Sequence, residues 1–176
     1  MKKLTIEQKR QIAEKFGLEY RALCAVMAVE ASGSGFDNET GKIKIQFEPY
    51  WFQRYTGQRI ANGVESQPAE WIAYEKAATI HAEAAMLSTS WGLGQIMGFN
   101  HKASGYEEVE DMVKAFEVNE FNQLVGMVKF ICSNSKLYSA LMNKEWATFA
   151  YIYNGPKYKI NNYDVKLEQA YHRATE

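Results

Sequence analysis

Residues 26–36 read VMAVEASGSGF. A run of apolar residues ends in a glutamate, Glu30, and is broken at once by Gly33 and Gly35. Leu23, Val26, Met27 and Glu30 lie three and four residues apart, so a helix carries all four on one face. Carboxylates are seldom buried without a compensating partner. Glu30 is therefore either a solvated residue at a helix end or a carboxyl held in surroundings that disfavour its charge.

The helix that carries Glu30 spans about Leu18 to Ala31. Before it, Thr5 with Gln8 three residues on has the form of a capping box, and Gly17 ends the helix they open. After it, Asp37–Gly41 is turn-rich and Lys42–Phe47 alternates polar and apolar residues, which predicts a small β-hairpin closed by Pro49. A long alanine-rich helix runs from Pro68 to Leu87. Residues 88–100, STSWGLGQIMGFN, read as a glycine-punctuated turn leading into a short helix. Helices are expected over Glu107–Asn134, Lys136–Asn143, Glu145–Tyr153 and Tyr163–Ala174, the last two parted by the turn Tyr153-Asn154-Gly155-Pro156. No internal repeat, low-complexity tract or linker interrupts this order. The expectation is a mainly α single domain over residues 1–176, a helical bundle with one small β-hairpin.

Composition bounds the function. A chain of 176 residues suits one domain with a substantial core, and 47% apolar with 14% aromatic residues excludes a disordered chain. The formal net charge of −1 supplies no basic excess for nucleic acid and no polybasic arm for a stable membrane association. Cys24 and Cys132 sit in apolar helical patterns; two free thiols are expected, a disulfide being the alternative. His81, His101 and His172 lack metal-ligand spacing, so neither metal nor other cofactor is expected. At the N-terminus, Glu7, Gln8, Lys9 and Arg10 interrupt any apolar leader, and no apolar stretch is long enough to span a bilayer. A protein without a signal peptide, made soluble inside a cell and monomeric, is the expectation.

Three features follow one another along the chain: EASGSGF (30–36), SWGLGQIM (90–97) and YIYNGP (151–156). In that order they resemble the lysozyme-like superfamily of peptidoglycan glycosidases, in which goose-type lysozymes and lytic transglycosylases carry Glu-Ser, Gly-Leu-Met-Gln-Ile-like and Ala-Tyr-Asn-Ala-Gly-like motifs. The wider set is VEASGSGF (29–36), FEPYWF (47–52), STSWGLGQIMGFNHKASGY (88–106), EWATFAYIYNGP (145–156) and NNYDVKLEQAY (161–171). Together these are similar to the N-acetylmuramidase family of phage endolysins, over roughly Leu18 to Tyr171. Ala31 between Glu30 and Ser32, and Gly155 directly after Asn154 where the transglycosylase pattern has an alanine before its glycine, depart from that pattern more than from the muramidase one.

The resemblance implies a lysozyme-like fold with a substrate cleft, acting on peptidoglycan glycan strands. It implies hydrolysis of the β-1,4 bond between N-acetylmuramic acid and N-acetylglucosamine. The alternatives are a lytic transglycosylase that leaves 1,6-anhydromuropeptides and a non-catalytic wall-binding or phage structural domain. Some endolysins of the family add a wall-binding module, for which this chain has no room. The expected setting is the host cytoplasm until release to the cell wall, with delivery by a phage or injection apparatus as the alternative.

Glycoside hydrolysis needs a carboxylic acid still protonated near neutral pH. Val26, Met27 and Val29, together with the negative pole of the helix end, disfavour the Glu30 carboxylate, which fits it for general acid. Glu48, at the end of the predicted strand, is the candidate second carboxylate; its alternative is a structural acid paired with Arg54. Asp37 and Glu39 are weaker candidates in the turn. From the resemblance, the Tyr153 hydroxyl holds the orientation of Glu30, with core packing against Phe149, Tyr151 and Trp146 as the alternative. Ser90 lies where relatives place a polar residue near the reacting sugar. Of Trp51, Trp71, Trp91 and Trp146, Trp91 is the expected sugar-stacking platform because it adjoins the glycine turn; Gly92 is a point of close backbone approach, and Gln95 a partner for an acetamido or hydroxyl group. Asn154 completes the expected substrate-binding set.

Overall fold

The computed structural model describes residues 3–61 and 66–175; the outermost residues of the expected single domain and of the leader reading, Met1, Lys2 and Glu176, lie outside these. Among the described residues the chain forms ten α-helices and one small antiparallel sheet. This is the mainly α architecture that the sequence implies.

Helix α1 (Ile6–Lys15) begins at the expected capping box: Gln8 N donates to Thr5 Oγ1 at 3.1 Å, and Thr5 N to Gln8 Oε1 at 3.0 Å. Helix α2 (Tyr20–Ala31) buries Leu23, Val26 and Met27 and packs against the C-terminal helix. It stops where Ser32 and Gly33 take left-handed backbone angles, φ 53° and 75°.

The predicted hairpin is present only as a single bridge between Phe36 and Ile43, over a turn that Asp37 closes by accepting from Thr40 N at 2.8 Å. Strand β1 (Ile45–Phe47) pairs instead with β2 (Thr89–Trp91), which pairs in turn with β3 (Ile96–Met97). The order is β1-β2-β3, with Ile45 opposite Trp91 and Trp91 opposite Ile96. Residues 89–97 are thus not only a turn: they are two short strands joined by a 3-10 turn at Gly92–Gly94.

Helix α3 (Pro49–Thr56) was not expected; Pro49 occupies its first turn, and Gly57, at φ 75°, ends it. The long helix expected over 68–87 is two, α4 (Gln67–Ile80) and α5 (Ala82–Leu87). They part at His81, whose extended backbone ends one helix and whose Nδ1 accepts from Ala84 N at 3.2 Å to cap the next. Asn119 does the same between α6 (Val109–Val118) and α7 (Glu120–Ser133), accepting from Asn122 N at 2.9 Å. Helices α8 (Ser135–Met142), α9 (Trp146–Asn154) and α10 (Tyr163–Arg173) complete the chain close to their expected spans.

Two apolar clusters result. The larger gathers Leu23, Val26, Leu124, Met127, Ile131 and Phe149 from α2, α7 and α9, with Leu93 from the 3-10 turn. The smaller holds Phe47, Phe52, Ala73, Ala77, Ala84 and Ala85 from β1 and α3–α5, with Ile60 from the segment after α3. Fully buried side chains as large as Phe47 and Phe52 contribute about 1.5–3 kcal/mol each. Cys24 and Cys132 are free thiols. No helix among the described residues is long and apolar enough to cross a membrane.

Candidate active site

Glu30 lies in the last turn of α2, partly buried, where the unpaired carbonyls of a helix end disfavour negative charge. Lys44 Nζ donates to the Ala31 carbonyl at 2.8 Å and so holds the helix end itself. The carboxyl of Glu30 receives its hydrogen bonds from one side chain. Asn154, the last residue of α9, donates Nδ2 to Oε1 at 3.0 Å and to Oε2 at 3.2 Å. Burial raises the Glu30 pKa from 4.5 to about 7, against the opposing pull of the Asn154 amide. At neutral pH a substantial fraction of the group keeps its proton, as a general acid requires.

The sequence assigns the contact with Glu30 to Tyr153 and substrate binding to Asn154. The structure exchanges the first of these. Tyr153 Oη donates to the Gly94 carbonyl at 2.7 Å, and its ring stacks on Phe149 at 5.2 Å and meets Phe130 edge-on at 5.5 Å. Tyr153 remains close enough for burial and the charge of Glu30 to push its hydroxyl pKa well up. It therefore ties the 92–94 turn to α9 in the immediate surroundings of Glu30. Adjacent residues of a helix point about 100° apart, and only the asparagine faces the carboxyl.

Glu48 is partly buried at the N-terminal end of α3. Its carboxyl accepts from Gln46 Nε2 at 2.9 Å, and burial, followed by the charge of Glu70, raises its pKa. The structural alternative for Glu48 has no support, because Arg54 turns to Tyr50, with Nη1 3.4 Å from its hydroxyl and no ion pair to Glu48. Glu48, Tyr153 and Asn154 line one cavity of about 800 Å³. Tyr163, at the start of α10, feels the charges of both Glu30 and Glu48. Asp37, by contrast, is spent on its own turn, where hydrogen bonds from Thr40 lower its pKa.

The 90–95 segment departs most from expectation. Trp91 is fully buried: its Nε1 donates to the Met86 carbonyl at 3.1 Å, and its ring meets Trp71 and Tyr74 edge-on. It is a core residue with no face for a sugar. Gly92, at φ 68°, is also buried, and a Cβ there would lie 2.6 Å from Gln123 Oε1. The close approach that demands glycine is thus made by Gln123, a fully buried amide that accepts from Leu93 N at 2.8 Å and donates to the Phe116 carbonyl at 2.8 Å. Ser90 is buried and donates to Gln95 Oε1 at 3.0 Å, while Gln95 Nε2 donates to the Gly92 carbonyl at 2.8 Å. These two hold the turn together. Gln95 also borders a second cavity of about 580 Å³, beside Gln46, Gln67 and Asn161, so it keeps an edge toward ligand space.

The aromatic surface of the larger cavity includes Tyr50, Phe99 and Trp51, the last being one of the four tryptophans considered for sugar stacking but not the one preferred. Tyr50 is 60% exposed, and Trp51 packs against Tyr50 at 5.2 Å and Phe99 at 4.9 Å. Tyr50 went unread because the short helix that presents it was not expected. Gln46 borders the smaller cavity and bonds Glu48, which borders the larger.

A neutral-range carboxyl at a helix end, bonded to an asparagine on the wall of a cavity that a second carboxyl and aromatic side chains also line, has the chemistry of a glycosidase. Comparison with known proteins agrees. A crystal structure of the Burkholderia AP3 phage endolysin matches with a TM-score of 0.85 and 34% identity, covering 98% of this chain and 70% of that one. Curated protein sequences gave no significant match. The family model for N-acetylmuramidase matches residues 19–175, and the chain belongs to that family of lysozyme-type peptidoglycan hydrolases.

Proposed function

We propose that this hydrolase cleaves the β-1,4 bond between N-acetylmuramic acid and N-acetylglucosamine with Glu30 as general acid. The observation that carries the assignment is the carboxyl at the end of α2, pushed to about 7 by burial and held by a single amide. The proton of Glu30 passes to the glycosidic oxygen as its bond to the anomeric carbon breaks. Water then adds to that carbon, and its proton returns to a carboxylate. Glu48, on the wall of the same cleft, positions that water or steadies the positive charge developing on the sugar ring. Tyr50, Trp51 and Phe99 give apolar faces for sugar rings, and Gln46, Gln95 and Asn161 give polar edges for their hydroxyl and acetamido groups.

The endolysin neighbour supports a role in phage-driven lysis, with the enzyme reaching the wall from the host cytoplasm. Action as a monomer is part of the same proposal. Mass spectrometry of muropeptides released from purified cell walls tests the reaction. Reducing ends are expected; anhydro ends, one water lighter, would instead identify a transglycosylase.

A further inference from the structure

Asn154 engages Glu30 through one end of its amide only. Nδ2 reaches both carboxyl oxygens, while Oδ1 is buried and accepts no hydrogen bond among the described residues. A buried carbonyl oxygen without a donor is unfavourable, and such atoms in native proteins call for an explanation. Donation to both oxygens suits the carboxylate, which is acceptor on each. It does not suit the acid, in which one oxygen carries a hydrogen that itself needs an acceptor. A half-turn of the amide about its Cβ–Cγ bond exchanges Oδ1 and Nδ2 within the same volume. That turn brings the orphaned oxygen to the one group nearby that gains a donor when it is protonated.

We propose that Asn154 is a two-setting positioning residue for Glu30: its carbonyl oxygen receives the acid's O–H at rest, and its N–H groups meet the carboxylate as the proton leaves. The inference rests on the reading of Glu30 as general acid. In the first setting the O–H of Glu30 keeps its proton and donates it as a hydrogen bond to Oδ1. When a glycan fills the cleft, the amide turns, and the O–H is free to aim at the glycosidic oxygen. As the proton transfers and the bond to the anomeric carbon breaks, negative charge appears on Glu30 where the N–H donors now point. Those donors stabilise the transition state more than the resting acid, which is the condition for speeding the step. Tyr153 and Tyr163, which feel the charge of Glu30, and the charged groups Lys44 and Glu48 all have other partners. Tyr153 of α9 is bonded to the Gly94 carbonyl, Lys44 is bonded to the Ala31 carbonyl, and Glu48 is bonded to Gln46; Tyr163 of α10 senses both carboxyls and has Asn161 as its hydrogen-bond partner.

The test follows the side-chain amide of Asn154 by NMR in the full chain while pH is raised through neutrality. Its resonances are expected to shift with the titration of Glu30 and to stay flat in Glu30→Gln. In kinetics, Asn154→Leu keeps the shape and removes both polar atoms. It is expected to lower kcat on the order of ten- to a hundredfold, to leave KM little changed, and to move the alkaline limb to higher pH, because the charge-assisted bond lost to the carboxylate is stronger than the neutral bond lost to the acid. Amide resonances that ignore the titration of Glu30 would overturn the proposal, even if the leucine variant fails to fold. So would a leucine variant with raised KM and an unmoved pH limb, which would make Asn154 the substrate-binding residue read from the sequence. Full activity in Glu30→Gln would remove the acid itself, an outcome separate from either.

Discussion

Glu30 and Glu120 are two glutamates shielded by the same larger lobe and provided for in opposite ways. Glu120 lies in the first turn of α7, where the helix pole favours negative charge. Its oxygens accept from Leu4 N at 2.9 Å, Gly35 N at 2.9 Å and Ser34 Oγ at 3.0 Å. Glu30 lies in the last turn of α2, at the unfavourable pole, with one amide for a partner. The two are also physically linked: Glu120 fixes residues 34–35, the loop into which the helix of Glu30 runs out. A carboxyl given three donors is a clamp. A carboxyl given one, at the unfavourable end of its helix, keeps its proton for chemistry.

Substitutions separate the roles. Glu30→Gln is expected to lower lysis of purified walls by at least the ~10²–10⁴-fold of general acid catalysis, with no loss of melting temperature, because the amide fits the space, donates no proton and carries no buried charge at neutral pH. Turbidity assays and thermal melts on one preparation check both halves. Glu120→Ala should do the reverse. It strands three donors, costs on the order of 3 kcal/mol in urea unfolding, and leaves the activity of the folded fraction close to normal. A loss of activity without a loss of stability at Glu120 would break the comparison.

Tyr153→Phe carries the smallest effect. Removing the bond to the Gly94 carbonyl should cost about 1 kcal/mol, while the ring keeps its stacking on Phe149. The alkaline limb of the pH–rate profile should stay in place, since the hydroxyl does not bond Glu30. A shifted limb would return to Tyr153 the orienting role that Asn154 now holds.

The contrast also marks what the sequence makes legible. Helix α2, its capping and its glutamate are local patterns, and they are read directly from 18–35. Glu48 and the cleft wall came through the motif order. Trp91 was misread because adjacency to a glycine turn says nothing about which way a side chain faces. That is decided by strand pairing with Ile45, and by Trp71 and Tyr74 arriving from α4. The strands β2 and β3 were missed for the same reason: each is very short and exists only through partners distant in sequence. Gly92 looked like a ligand contact because the buried Gln123 that crowds it comes from α7, 31 residues further on. A glutamine set among Leu124, Met127 and other buried residues of one helix face was the signal for it. The exchange between Tyr153 and Asn154 turns on a single residue of helix phase, which motif likeness does not resolve.

The central claim is that Glu30 is an acid held protonated close to neutral pH, and its titration tests that most directly. With the pKa raised in the fold from 4.5 to about 7, the folded state binds this proton more tightly than the unfolded chain. The stability contributed by the group is therefore complete below pH 4.5 and is lost as pH rises through about 7. The measurement is the carbon-13 NMR titration of the Glu30 side-chain carboxyl in the free enzyme, set beside the alkaline limb of kcat/KM. The expected result is a single midpoint near 7 in both, absent from the spectrum of Glu30→Gln. A Glu30 carboxyl that titrates near 4.5, like a solvated glutamate, would contradict the account.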